Sequence, residues 1–126
     1  MELRNIKFKA KRLDNGEWVE DDLKHSTSYV GIGYPSSAFP DVPIVHRVNP
    51  SSVCMFTGLR DCKGKEIFEH DLIHFVGHKP IGEVIWSEED YAFMVAASES
   101  EPLYWLSDVL EIGKIERVGN KFDKEK

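Results

Sequence analysis

Apolar and cationic residues alternate strictly over Ile6-Lys7-Phe8-Lys9-Ala10-Lys11. A period of two is that of a half-buried strand, and it points Ile6, Phe8 and Ala10 inward. Asp14-Asn15-Gly16 follows, a residue set that tolerates positive φ in a tight turn, and then Glu17-Trp18-Val19-Glu20. Together they predict a β-hairpin whose return strand turns Trp18 to the core. Residues 26–52 break the pattern. Four of the six prolines lie there (Pro35, Pro40, Pro43, Pro50), with Gly31, Gly33 and six serines. Proline removes a ladder donor, so long central strands are not expected. Tyr29-Val30-Gly31-Ile32 and Ile44-Val45-His46-Arg47-Val48 read as short or edge strands.

Beyond residue 52 the apolar positions become denser. Val53 to Thr57 reads as a strand, and Gly58-Leu59-Arg60 leads into a turn at Asp61-Cys62-Lys63-Gly64. Leu72-Ile73-His74-Phe75-Val76 is a strand with apolar residues on both faces, turned by Gly77-His78-Lys79-Pro80. Ile81 to Trp86 returns, Ser87-Glu88-Glu89-Asp90 turns again, and Tyr91 to Ala97 runs back. Strands at such regular spacing describe a meander that curls into a small barrel or half-barrel. Leu103 to Leu106 and Leu110 to Ile115 are the expected closing strands, with one helical turn at Ser107-Asp108-Val109. Residues 119–126 read as a polar, frayed tail.

Composition narrows the function classes. The 126 residues, 41% hydrophobic and 30% charged, are those of an ordinary folded domain. No apolar run approaches the ~18–20 residues of a membrane helix. Two cysteines, Cys54 and Cys62, are too few for a disulfide framework and fit a reducing cytoplasm. The net charge of −6 argues against non-specific nucleic-acid binding by the whole surface. Its distribution is uneven. Residues 1–13 carry five cations and one anion, whereas residues 83–111 carry eight anions and no cation. Such segments attract each other within a chain or between subunits, or simply form two solvated faces.

Met55-Phe56-Thr57-Gly58-Leu59-Arg60-Asp61-Cys62-Lys63-Gly64-Lys65-Glu66-Ile67-Phe68-Glu69-His70-Asp71 resembles the signature of the YopX-like proteins of bacteriophages and prophages. Ile6-Lys7-Phe8-Lys9-Ala10 is similar to that family's opening, and Leu110 to Ile115 to its closing segment. Two residues depart from the pattern: His70 stands where the family has Gly, and Lys114 where it has Asn. If that Gly has positive φ, His70 must adopt left-handed geometry. The resemblance implies a phage context and a β fold, and brings no catalytic residues. Physically, Asp61 is expected to accept N–H bonds within its own turn, Ile67 and Phe68 to plug the barrel end, and Asp71 to anchor the start of the next strand.

Candidate chemistry is sparse. His70, His74 and His78 are spaced by four, which on a helix would let neighbours share zinc with Asp71 nearby. On a strand four residues span ~13 Å, too far for two ligands of one ion. Leu72, Ile73, Phe75 and Val76 favour the strand. Cys54 reads as core and Cys62 as an exposed turn thiol, with no CxxC motif. Glu20-Asp21-Asp22 and Glu88-Glu89-Asp90 could bind Mg²⁺, but both fall where turns are expected. No glycine-rich phosphate loop occurs.

The expected fold is mainly β. It comprises an N-terminal hairpin with an irregular Pro/Ser-rich segment (1–52), a C-terminal SH3-like small β-barrel (53–118) and the polar tail (119–126). The expected role is a phage- or prophage-encoded accessory protein, non-enzymatic, acting in the host bacterial cytoplasm through protein contacts and as a homo-oligomer. No catalytic, cofactor or metal residue is assigned, and no membrane contact is expected. The alternative is a nucleic-acid-binding accessory factor, with Phe8, Trp18 and Tyr29 stacking on bases and Lys7, Lys9 and Lys11 meeting phosphates.

Overall fold

A computed structural model describes residues 6–39, 41–76, 81–96 and 103–123. The expected turn at residues 77–80, with His78, lies outside them, as do residues 124–126 of the expected tail. The described chain is mainly β, with two antiparallel sheets and one short α-helix. It divides into two compact units between Phe56 and Thr57.

The first unit holds β1 (Phe8–Lys11), β2 (Trp18–His25), β3 (Val30–Pro35), β4 (Pro43–Arg47), a single 3-10 turn at Pro50–Ser52 and the start of β5 (Cys54–Arg60). Neighbours run β4-β3-β2-β1-β5. Ala10, Ile32 and Val48 are buried together, with Phe8, Val19, Leu23, Val30 and Val53 packed against them. Ala10 therefore points inward as its alternation requires, whereas Ile6 is exposed. Trp18 does not join this core. Val19 sits opposite Ala10 and Trp18 opposite Lys11, so the period of two places Trp18 on the lysine face.

The proline-rich stretch yields more strand than expected. β3 lies between β2 and β4, and only β4 is an edge. Pro35 and Pro43 face each other at the end of the β3–β4 ladder, where a missing N–H interrupts no interior bond. Gly31 is there for a close approach: a Cβ on it would lie 2.8 Å from Val45 Cγ1 and 3.1 Å from the His46 carbonyl oxygen. Glu20-Asp21-Asp22 also differs from expectation. It lies within β2, not in a turn, because the ladder with β1 runs through Asp21.

The second unit continues through β5 to β6 (Glu66–Phe68), β7 (Asp71–Phe75), β8 (Ile81–Ser87), β9 (Ala92–Ala96), β10 (Tyr104–Trp105), α1 (Leu106–Ile112) and β11 (Ile115–Asn120). Its five-stranded sheet runs β10-β9-β8-β7-β11. The β7-β8-β9 meander is as expected, and β7 is extended across the histidine-bearing segment. Ile67, Ile73, Val84, Val95, Leu106, Val109 and Ile115 form the core. Burying each such side chain contributes about 1.5–3 kcal/mol before entropy is counted. Among the described residues β10 and β11 stand at opposite ends of this sheet, and no ladder joins them.

The closing segment corrects the expectation. Leu106, Val109 and Leu110 follow the i, i+3, i+4 spacing of a helix face, so α1 runs to Ile112 and exceeds the single turn expected. The closing strand is accordingly displaced to Ile115–Asn120. Residues 119–123 are no frayed tail. Asn120 and Phe122 are 4% and 8% exposed, and Asn120 pairs with Asp71 at the head of β7.

Candidate functional site

The two aspartates of the signature stretch, Asp61 and Asp71, are turned inward. Asp61 is buried. Its Oδ1 accepts the backbone N–H groups of Lys63 and Lys65, both at 2.9 Å, and its Oδ2 accepts that of Arg117 at 2.9 Å. Gly64, at φ +82°, makes the turn that brings those donors round. Burial pushes the Asp61 carboxyl upward, but the Arg117, Lys65 and Lys63 N–H groups and the Lys65 charge outweigh it and hold it below the ordinary carboxylate range. The neighbouring Cys62 N–H donates to the Ile115 carbonyl at 2.9 Å. The turn thus caps the start of β11, supplying partners to backbone groups that an edge strand would leave open.

Asp71 is the second buried carboxylate and is fully enclosed. Its Oδ2 accepts the Phe68 N–H at 2.7 Å, and its Oδ1 accepts Asn120 Nδ2 at 2.8 Å. Arg117 Nε lies 2.9 Å from Oδ2, an ion pair by distance whose N–H direction misses hydrogen-bond alignment. Asn120 closes the arrangement by accepting the Phe122 N–H at 2.9 Å. Arg117 therefore touches both carboxylates, Asp61 through its backbone and Asp71 through its side chain. Each buried charge is matched by donors, which is the condition for its being tolerated.

The histidines are separated by the strand. His70 lies at φ 69°, the left-handed geometry its position demands. Its Nδ1–H donates to Glu83 Oε2 at 2.9 Å, and its ring meets Phe122 edge-on with centroids 5.3 Å apart. His74 Nε2 instead lies 3.5 Å from Glu116 Oε1. Glu116 also pairs with Lys63, and these two contacts, Lys63 first, hold its carboxyl below the ordinary range. The two rings serve different carboxylates. Among the described residues no three or more His, Cys, Asp or Glu side chains are placed to hold a metal ion. Cys54 is buried and Cys62 exposed, as their positions suggested.

The lysines proposed to meet phosphates are engaged elsewhere. Lys9 and Lys11 are 5% and 7% exposed. Their Nζ atoms lie 4.5 Å and 5.0 Å from the centroid of the Trp18 ring, and Lys7 Nζ lies 5.1 Å from that of Phe56. The Trp18 ring is occupied by cations of its own sheet.

The family model for the YopX protein matches residues 4–125, which is nearly the whole chain. The chain belongs to the YopX family. None of the curated proteins matches it. Two members of this arrangement were not legible in the YopX-like signature: Arg117 and Asn120 lie 46 or more residues beyond it, in a polar segment. Among the described residues no helix is long and apolar enough to cross a membrane.

Apolar groups are exposed at several places, Tyr91 and Ile112 among them, and one set lies on the β3–β4 hairpin. Phe39 and Val42 are 69% and 61% exposed, and Ile44 and Val45 on β4 are also open to solvent. In the connection before β4, Ser36 Oγ accepts the N–H groups of Ala38 and Phe39, and the Val42 N–H donates to the Phe39 carbonyl at 2.9 Å.

Proposed function

We propose that this YopX-family chain is a phage- or prophage-encoded accessory protein that acts without catalysis, through protein contacts and self-association, in the cytoplasm of the host bacterium. The observation that carries this reading is the β3–β4 hairpin with Phe39, Val42, Ile44 and Val45 exposed. Several exposed apolar groups within one short stretch support a protein partner. The inward engagement of Asp61, Asp71, Arg117 and Asn120 supports a structural role for the signature, since a catalytic carboxylate must face a substrate. For the second unit we propose an SH3-like barrel. The order β10-β9-β8-β7-β11, with a short helix before the last strand, supports that architecture.

The nucleic-acid alternative loses support because Lys9 and Lys11 already lie over Trp18. Two measurements test the proposal. Light scattering of the full chain at tens of micromolar is expected to give a mass above that of one chain, and a monomer would contradict it. Titration with labelled single- and double-stranded DNA at several salt concentrations is expected to show no binding. Affinity falling steeply with salt would instead favour the alternative.

A further inference from the structure

The core face of the second unit's sheet is covered unevenly. Side chains two apart on a strand share a face, so Val84 and Trp86 on β8 point the same way as Phe93 and Val95 on β9. Leu106 and Val109 of α1 pack with Val84 and Val95, and all of them are buried. Trp86, one cross-strand pair further along, is 42% exposed. It meets Phe93 edge-on, with ring centroids 5.1 Å apart. An aromatic ledge therefore stands where the helix cover stops.

Topology brings negative charge to the same end of the sheet. β8 turns into β9 through Glu88, Glu89 and Asp90, all exposed, and Tyr91 at the end of that turn is 81% exposed. β10 is antiparallel to β9, with Tyr104 opposite Val95 and Trp105 opposite Met94, so the chain enters α1 travelling toward the turn. Asp108 and Glu111, three apart on α1 and so on neighbouring positions of its surface, are exposed as well. No Lys or Arg occurs between Glu83 and Glu111. Among the described residues none of the exposed carboxylates of the turn and of α1 is ion-paired. Nor does a described cation lie over Trp86 or Tyr91.

We propose that this end of the sheet docks a lysine- or arginine-rich segment of a different protein. This rests on the protein-contact reading and adds to it a second surface and the chemistry of its partner. A cation placed over Trp86 or Tyr91 is attracted by the ring face, and the acids beside them supply its counter-charge. The chain already uses this chemistry on itself, where Lys9 and Lys11 lie over Trp18. That use also excludes a second copy as the source of the cations. The chain's densest basic run is Lys7 to Arg12, and its lysines lie over Phe56 and Trp18 while Arg12 pairs with Asp14. Nucleic acid and anionic lipid are repelled by the charges that attract a cationic segment. The aromatic rings give the contact area, and the unbroken negative sign around them selects the partner.

The test titrates the full chain with fluorescently labelled octalysine at several salt concentrations. The wild type is expected to bind, with affinity falling as salt rises. Glu88→Gln/Glu89→Gln is expected to weaken binding about three- to tenfold, the effect of two exposed charge contacts. Trp86→Ala and Tyr91→Ala are each expected to weaken it about two- to fivefold, and Tyr91 is too exposed for its loss to unfold the chain. Glu20→Gln/Asp22→Asn removes the same charge from exposed acids on β2 and is expected to change affinity by less than about twofold. A loss in that control as large as in Glu88→Gln/Glu89→Gln would mean attraction to net charge alone and would overturn the site. Binding that neither Glu88→Gln/Glu89→Gln nor Tyr91→Ala weakens would overturn the surface. A wild type that binds no octalysine at low salt would overturn the partner's chemistry, while the mass of the assembled chain would still uphold self-association. A monomer that binds octalysine through this end would support the docking surface and contradict self-association.

Discussion

The Asp61 turn and the β3–β4 hairpin invert the usual placement of side chains in opposite ways. At the turn, carboxylates are buried, and every one finds donors: three backbone N–H groups on Asp61, and Phe68, Asn120 and Arg117 on Asp71. At the hairpin, apolar groups are exposed on β4 and on the connection before it. Buried polar groups with complete partners specify a fold, and exposed apolar groups without them await a surface. The contrast separates what makes the chain fold from what gives it something to bind.

The largest expected effect breaks the buried side of this contrast. Asp71→Ala removes the acceptor from Phe68 and Asn120 and the counter-charge from Arg117, and is expected to cost about 3–5 kcal/mol in urea unfolding. A loss below about 1 kcal/mol would mean that water or a rearranged Arg117 replaces the carboxylate. Asp61→Ala is expected to cost less, about 1–3 kcal/mol, since the freed N–H groups lie nearer solvent. It has a pH signature as well. The folded carboxyl is depressed, so its contribution is complete above the unfolded value of about 3.9 and is lost as acid takes the pH down through the folded value. The wild type is therefore expected to lose stability below about pH 4 more steeply than Asp61→Ala, in urea titrations across that range.

How much of this was visible in the sequence depends on whether the signal was local. β7 could be read because Leu72, Ile73 and Phe75 run on both faces. The Asp61 turn carried its own acceptor and glycine, and the left-handed requirement at His70 followed from its place in the signature. Trp18 departs from the sequence expectation because Glu17-Trp18-Val19-Glu20 offers two adjacent apolar residues and the sheet register decides between them. Lysine stems pack on an indole as well as a core does, so the lysine face disguised itself as solvent-facing. α1 is longer than the sequence predicts because a few apolar residues satisfy strand and helix periods alike. The burial of Asn120 and the contacts of Arg117 depend on partners about 50 residues away, which no local pattern records.

Smaller effects sharpen the comparison. His70→Ala keeps the left-handed backbone and loses the Glu83 and Phe122 contacts, with an expected cost of about 1–2 kcal/mol. His70→Gly relieves the backbone while losing the same contacts, so it is expected to be the milder substitution by about 1 kcal/mol in the same denaturation assay. Equal losses would show that φ 69° carries no strain here. At the exposed side, Ile44→Lys is expected to change the stability of the isolated chain by no more than about 0.5 kcal/mol while altering its mass in solution.

Amide hydrogen exchange followed against protein concentration tests the whole contrast at once. The Phe68 and Arg117 N–H groups, held by Asp71 and Asp61, are expected to stay protected at every concentration. The Phe39 and Val42 N–H groups, beside the exposed apolar side chains, are expected to exchange faster in dilute solution and to slow as copies associate. Phe39 and Val42 amides whose rates are the same at every concentration, or Phe68 and Arg117 amides that exchange as fast as they do, would contradict the account.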